Sequence, residues 1–350
     1  MPHIIKPPVD NSPGIVVFTH KEWPFVDQIF WALKGFQKKV KSKYFVGAHW
    51  ACHLENVVSK SQDFNLASKG MLTFKNEDEA NVIELSSRNF IQEYFQKKSL
   101  HKQWDIINIS RPKNFKRLPE FLKCIRLLYD QKKFYKVLLI SGSSKQFSKR
   151  YSFDVDIYEQ YLDMFSLEER EHFTFLFLRP DGHPRQIPSE TISFFMNSSR
   201  LFTLFSKSEG PNRSIHEALL CGLPILVYEN LKGGGRYYLN KSNSEMFSDT
   251  ADAANKIIKI LENYDDYQYD TLPYQKELSE VYSKENLRSE FQTFFKKRNV
   301  PMIGDCNLEK LSFGLSAHIF TVPRWMRQPE TNDLNSVFAA YAYLKQLIKD

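Results

Sequence analysis

Glycine is scarce in this 350-residue chain, with thirteen copies. Little is left for glycine-rich phosphate loops, and neither G-x-G-x-x-G nor G-x-x-x-x-G-K-[ST] occurs. Cysteine is scarcer still. Cys52, Cys124, Cys221 and Cys306 stand far apart with no C-x-x-C pair, which excludes the usual zinc spacings and a disulfide framework. A reducing compartment is therefore expected. No stretch approaches the ~18 apolar residues of a membrane span. The opening MPHIIKPPVDNSP lacks the apolar run of a secretory signal. These absences predict a soluble, cytoplasmic protein. Internal repeats and low-complexity tracts are also absent.

Hydrophobic residues make up 42% of the chain and aromatics 15%, enough apolar material for two cores. The length predicts two domains. The net charge of +7 is unevenly spread. Residues 101–150 hold thirteen Lys and Arg against three Asp and Glu, a local net of +10. Such a segment points to an anionic partner: nucleic acid, a membrane surface or a phosphorylated small molecule. Phe115, Phe121, Tyr129, Phe134 and Tyr135 interleave with these charges at spacings that suit a core, and no RNA-binding signature accompanies them. No nucleic-acid partner is expected. A basic face touching anionic lipid stays open.

Strand and helix patterns alternate most clearly after residue 100. Strands are predicted at Trp104–Ile109 and at 136–140, 174–178, 201–205 and 224–228. Helices are predicted at 118–129, 157–165, 187–196, 214–220 and 249–263, with Ser166 and Glu169 forming a capping box for a further short helix. This order implies a parallel sheet covered on both faces, whose ligand sits at the carboxyl ends of the strands. In the first hundred residues, 14–19 reads as a strand, 25–38 as a helix, 44–46 and 82–85 as strands and 88–97 as a helix. Residues 332–349 read as a closing helix after an irregular segment. The expected domains are 1–100, 101–298 and a tail of 299–350 that crosses back to the first.

Residues 206–229 read SKSEGPNRSIHEALLCGLPILVYE. An apolar strand ends at polar residues, Glu209 opens a loop, and Gly210, Pro211 and Asn212 make a tight turn. A helix follows that carries Arg213 and Glu217. Helix N-termini at strand ends bind phosphate through free N–H groups and the helix dipole. Carboxylates accept hydrogen bonds from vicinal hydroxyls, as on sugars and ribose. Upstream, residues 105–116 read DIINISRPKNFK, so a strand ends at Ser110-Arg111 with Lys116 five positions on. Arg grips two phosphate oxygens at once, and Lys supplies a compact charge. Further candidates are Gly142, which follows 136–140, Arg179, which follows 174–178, and His20 at the end of the first strand. His49 and His53 form an H-x-x-x-H pair with no Glu between them and no evident third ligand, so no metal is expected. His216 is expected on a helix surface.

The pattern E-x7-E followed by A-x-x-x-G-x-P, here Glu209, Glu217, Ala218, Gly222 and Pro224, resembles the donor-site signature of glycosyltransferase family 4. Residues 104–265 carry the resemblance. It implies the α/β GT-B fold of two Rossmann-like domains with parallel sheets, and transfer of a sugar from a nucleotide-diphosphate sugar with retention and without a metal or further cofactor. The first Glu would contact the donor sugar and the second the ribose, while Arg111 and Lys116 would hold the diphosphate. The acceptor would be a saccharide or a lipid-linked one. Ser110 and Arg117 stand where the family has glycine, so Lys113 and Arg117 share the candidacy for the phosphate contact. The first domain is expected to be short. A non-catalytic sugar-nucleotide-binding domain, an epimerase of the same fold and a nucleic-acid binder are the alternatives.

Overall fold

Two sheets organise the chain. The structure is a computed structural model that describes residues 3–19, 22–49, 61–67, 82–85, 89–142, 157–178, 187–210, 212–233, 235–308 and 334–349. It divides into two units, Met1–Phe90 with Glu280–Asp350 and Ile91–Ser279.

Unit 1 begins with β1 (His3–Lys6) and β2 (Gly14–Phe18), then α1 (Trp23–Ala32), α2 (Lys34–Lys41), β3 (Tyr44–His49), β4 (Phe64–Leu66) and β5 (Val82–Ile83). The sheet runs β1-β2-β3-β4-β5, parallel from β2 onward with β1 antiparallel on the edge. The helix expected over 25–38 is two helices. Leu33 leaves helical geometry at φ −125°, ψ 71°, so Phe36 and Val40 turn inward from a new axis.

Unit 2 holds β6 (Trp104–Ile109), α3 (Leu118–Asp130), β7 (Val137–Gly142), α4 (Ile157–Met164), α5 (Leu167–Arg170), β8 (Phe173–Leu178), α6 (Ser189–Asn197) and β9 (Ser199–Leu204). It continues through α7 (Arg213–Leu220), β10 (Ile225–Tyr228), β11 (Ser244–Phe247), α8 (Thr250–Glu262) and α9 (Leu272–Leu278). The sheet is parallel throughout, in the order β8-β7-β6-β9-β10-β11. Ile106 and Leu201 face one core with α3 and α8, while Ile107 and Phe202 face a second with α6 and α7. Burial on both faces is why the central strands read as continuous apolar runs. The predicted capping box forms: Glu169 N donates to Ser166 Oγ at 3.2 Å, and Ser166 N to Glu169 Oε2 at 2.9 Å. β11 carries only SEMF and was not legible as a strand.

The helix expected over 88–97 is absent among the described residues of that stretch. Ile91 instead bridges Ser279 like a strand, its N–H bonding the Leu278 carbonyl at 2.8 Å. Phe90 joins the unit 1 core, whereas Ile91 and Phe95 join a unit 2 core.

The chain ends with α10 (Glu280–Lys297) and α11 (Leu334–Leu347). The expected second domain ran to 298, yet α10 belongs to unit 1. Its Leu287, Phe291, Phe294 and Phe295 pack with Phe64 and Leu66, and the Phe64 ring meets those of Phe291 and Phe294 edge-on at 5.5 and 5.4 Å. Leu344 and Leu347 of α11 join the core with Val26 and Phe30. Unit 1 is therefore not a short domain of about a hundred residues: its helical layer is completed by the far end of the chain.

Candidate functional site

The strand order of unit 2 reverses between β6 and β9. Successive strands build outward from β6 to β8, then the chain returns to the other side of β6. Loops diverge at such a point, leaving a crevice outside the carboxyl ends of the strands. Residues 110–117 leave β6 there and residues 205–212 leave β9, so both predicted motifs arrive at one place.

Backbone bonds tie these loops together. Lys207 N donates to the Phe115 carbonyl at 2.8 Å, joining the loops after β9 and β6. Lys232 N reaches the Lys207 carbonyl at 3.0 Å and Glu209 N the Lys232 carbonyl at 2.8 Å, adding the loop after β10. Within this weave Lys116 and Glu209, 93 positions apart, form an ion pair, with side chains 13% and 9% exposed.

The loop after β6 is a cationic turn. Asn114–Lys116 form a 3-10 turn, and the Lys113 and Lys116 ammonium groups approach the Phe115 ring at 5.9 and 5.5 Å. Burial, and then the charges of Arg111 and Lys116, hold Lys113 below the usual lysine range. Arg111 and Lys116 thus both lie close enough to Lys113 to disfavour its charge, and a nearby anion would favour it. Arg117 ends the turn at φ 51°, ψ 41°, the left-handed region. This backbone favours glycine, yet the residue here is arginine. Here the side chain is kept. It is buried, its guanidinium lies 4.1 Å from the Tyr228 ring centroid, and its Nε sits 3.4 Å from Glu120 Oε1.

The helix after β9 is set by its ends. Asn212 caps α7, its side-chain oxygen accepting from Ile215 N at 3.0 Å. Arg213 Nε donates to Glu217 Oε1 at 2.8 Å, one turn apart. At the other end Gly222 takes φ +72°, with Leu223 N bonding the Ala218 carbonyl at 3.0 Å and Gly222 N the Leu219 carbonyl at 3.1 Å. That is a Schellman cap, and it explains the A-x-x-x-G spacing mechanically. A Cβ at position 222 would lie 2.8 Å from the Lys97 side chain.

Gly142 ends β7, paired with Leu178, and Gly210 lies in the loop with Glu209. His20, His53, Arg179 and Pro211 fall outside the described residues. His49 ends β3 in unit 1 and is buried. Glu22 accepts from the Thr19 N–H and hydroxyl at 3.0 and 3.1 Å, a local structural role. His216 is not on the surface: it is buried, edge-on to the Tyr238 ring at 5.2 Å. Tyr238 lies in a turn that sequence periodicity does not place.

The sequence marks Ser110 and the polar residues from Ser206 only as strand ends; the structure adds the link made by Asn108. Asn108 and Thr203 link β6 to β9 inside the sheet, Asn108 Nδ2 donating to the Thr203 carbonyl at 3.1 Å. The Asn108 side-chain oxygen and the hydroxyls of Ser110, Ser141 and Ser206 are buried and have no hydrogen-bond partner among the described residues. They belong to β7, β6 and the first turn after β9, and the register beyond the Ile109–Ile140 pair sets Ser110 beside Ser141. Buried polar atoms are nearly always satisfied in native proteins, by protein groups or by ordered water. The signal in the sequence is a polar residue within or closing an otherwise apolar strand.

Two Rossmann-like α/β units, the second doubly wound, define the GT-B fold of glycosyltransferases. Solved structures with that fold match this chain. One is HepE of Anabaena in complex with UDP-glucose, with a TM-score of 0.52 at 14% identity over 74% of this chain and 75% of that one. Sucrose-phosphate synthase from Thermosynechococcus elongatus gives 0.52 at 12% identity, covering 81% and 74%. The pneumococcal O-GlcNAc transferase GtfA in complex with UDP and GlcNAc gives 0.51 at 11% identity, covering 75% and 54%. No protein-family model and no curated protein matches the sequence. At these identities the likeness is one of fold.

Proposed function

We propose that this chain is a glycosyltransferase that moves a sugar from a nucleoside diphosphate sugar to an acceptor hydroxyl, binding the donor at the switch point of unit 2. The observation that carries this reading is the convergence there of Lys116 and Glu209, from two loops far apart in sequence. A cation for the diphosphate and a carboxylate for sugar hydroxyls are the two groups such a donor needs. The matched proteins that hold UDP or UDP-glucose support the ligand class.

In this reading Arg111 and Lys116 bind the diphosphate and stabilise the charge that builds as it departs. Glu209 orients the sugar. Glu217, steadied by Arg213, accepts from the ribose hydroxyls. Gly210 and Asn212 flank the N-terminus of α7 and bring it to the phosphates, and Gly142 completes the donor contacts within unit 2. The C1–oxygen bond to the β-phosphate breaks as the acceptor oxygen bonds C1 on the same face, with retention. The acceptor proton passes to the departing phosphate oxygen, so no metal is required. The acceptor is a saccharide or lipid-linked saccharide in glycan assembly. Donor binding must exchange the Lys116–Glu209 pair for Lys116–phosphate and Glu209–hydroxyl contacts.

A thermal-shift panel of nucleoside diphosphates and their sugars tests the reading, since a ligand of the folded state raises the melting temperature. A shift with one nucleotide, lost in Glu217→Ala and Lys116→Ala, is expected. No shift with any of them, or transfer unchanged in Arg111→Ala and Glu209→Gln, would sink it.

A further inference from the structure

Unit 1 carries a surface of a different kind at the corner where α1 meets α2. Trp31 is 78% exposed and Leu33 44% exposed. Tryptophan is the bulkiest apolar side chain, and one this far into solvent near an exposed leucine calls for a partner. From Trp31 to Gly35 every residue is exposed, as are Lys38 and Lys39. On α2, Lys34 and Lys38 stand one turn apart, with Gly35 and Lys39 beside them on the outward side. Nothing lies within 4 Å of a Cβ built on Gly35. The inward sides are occupied: Val40 enters the core, and the Phe36 ring packs on Tyr341 of α11 at 5.0 Å.

The charge is of one sign. Between Asp27 and Glu55 the sequence has five lysines and no acidic residue. Two of the five are engaged, Lys41 with Asp63 at 2.8 Å and Lys43 with the Ile348 carbonyl at 3.1 Å. Lys34, Lys38 and Lys39 are exposed on the helix that starts directly after Leu33. A lipid interface is suited to this pairing, because tryptophan and leucine enter the boundary between headgroups and acyl chains while lysines meet anionic headgroups.

We propose that this corner docks the protein on an anionic phospholipid surface, with Trp31 and Leu33 inserted at the interface and Lys34, Lys38 and Lys39 on the headgroups. The contact is peripheral: among the described residues no helix is long and apolar enough to cross a membrane. It rests on unit 1 alone and stands or falls separately from the donor site.

The test is co-sedimentation of the full chain with vesicles of phosphatidylcholine alone and of phosphatidylcholine mixed with phosphatidylglycerol. The protein is expected to pellet with the mixed vesicles only, and to be released by added salt. Each lysine is worth about a fivefold change in partitioning, so Lys34→Gln, Lys38→Gln and Lys39→Gln together lower it on the order of a hundredfold. Trp31→Ala lowers it roughly tenfold. These side chains lie on the surface, so melting temperatures should not move, which separates lost docking from lost folding. No pelleting with anionic vesicles, or pelleting indifferent to these substitutions, overturns the proposal. So does self-association in sedimentation velocity that Trp31→Ala abolishes, since the face would then belong to a second copy of the chain.

Discussion

Unit 2 contains two carboxylate–cation pairs that look alike in a contact map and are built to different ends. Arg126 of α3 grips Glu169 of α5 with two bonds of 2.6 and 2.5 Å, bonds the Met164 carbonyl at 3.1 Å and pairs with Asp130 at 3.0 Å. Glu169 is also a member of its helix's capping box. Every part of that pair is fixed more than once. The Lys116–Glu209 pair joins one lysine nitrogen to one carboxylate oxygen, with the Phe115 ring beside the ammonium, and an ammonium lacks the rigid fork of a guanidinium. It sits on the loops that leave β6 and β9, outside the sheet. An over-determined pair holds helices together; a pair on two loops at the crevice is suited to exchange its partner for a ligand.

The largest expected effect lies on the second pair. Lys116→Ala should lower kcat/KM for transfer by about a hundredfold to a thousandfold, the usual loss when one preorganised group that stabilises developing charge is removed. Arg126→Ala should instead leave transfer unchanged and lower stability by about 1–3 kcal/mol, read by denaturant unfolding. Equal losses of activity and stability in both variants would erase the distinction drawn here.

The flanking pair also has a pH signature. Arg126, then the Ser166 N–H, hold the Glu169 carboxyl down to about 2 against its burial, below an ordinary value of 4.5. A depressed carboxylate contributes stability that is fully present above its unfolded pKa and is lost as pH falls through the folded one. The melting-temperature difference between the parent chain and Glu169→Gln should therefore be constant above about pH 4.5 and shrink toward pH 2. A difference that grows on acidification would contradict the assignment.

Smaller effects probe the backbone around the site. Asn212→Ala removes the cap of α7 and should cost about 1 kcal/mol. At the left-handed position, Arg117→Gly and Arg117→Ala both lose the Tyr228 contact, but only alanine keeps the backbone strain. The glycine variant should be the more stable of the two by about 1 kcal/mol. Equal stabilities would mean that the turn had moved.

Much of unit 2 was legible before folding was considered. WDIINI and ILVY are apolar on both faces and bounded by turn residues, and the Ser166–Glu169 box is a purely local device. The E-x7-E and A-x-x-x-G-x-P spacings were legible because a loop, a helix and its Schellman cap have fixed lengths. Unit 1 was harder to read. The 25–38 pattern hid a break at Leu33. At the junction of the units, 88–97 looked helical although Phe90 joins a core of unit 1 while Ile91 and Phe95 join one of unit 2. The burial of His216 against Tyr238 depends on a residue 22 positions away, which no helical wheel contains.

The sequence by itself determined the strands of the parallel sheet, the capped helices and the types of charged residue at the ends of β6 and β9, because these follow from periodicity, capping and turn chemistry over a few residues. Only the tertiary structure decided that β6 and β9 are neighbours, that Lys116 therefore meets Glu209, and that α10 leaves the second unit to join the expected tail in unit 1. Strand order and the return of a distant segment are settled by which apolar faces bury one another, and that choice is made by the whole chain at once.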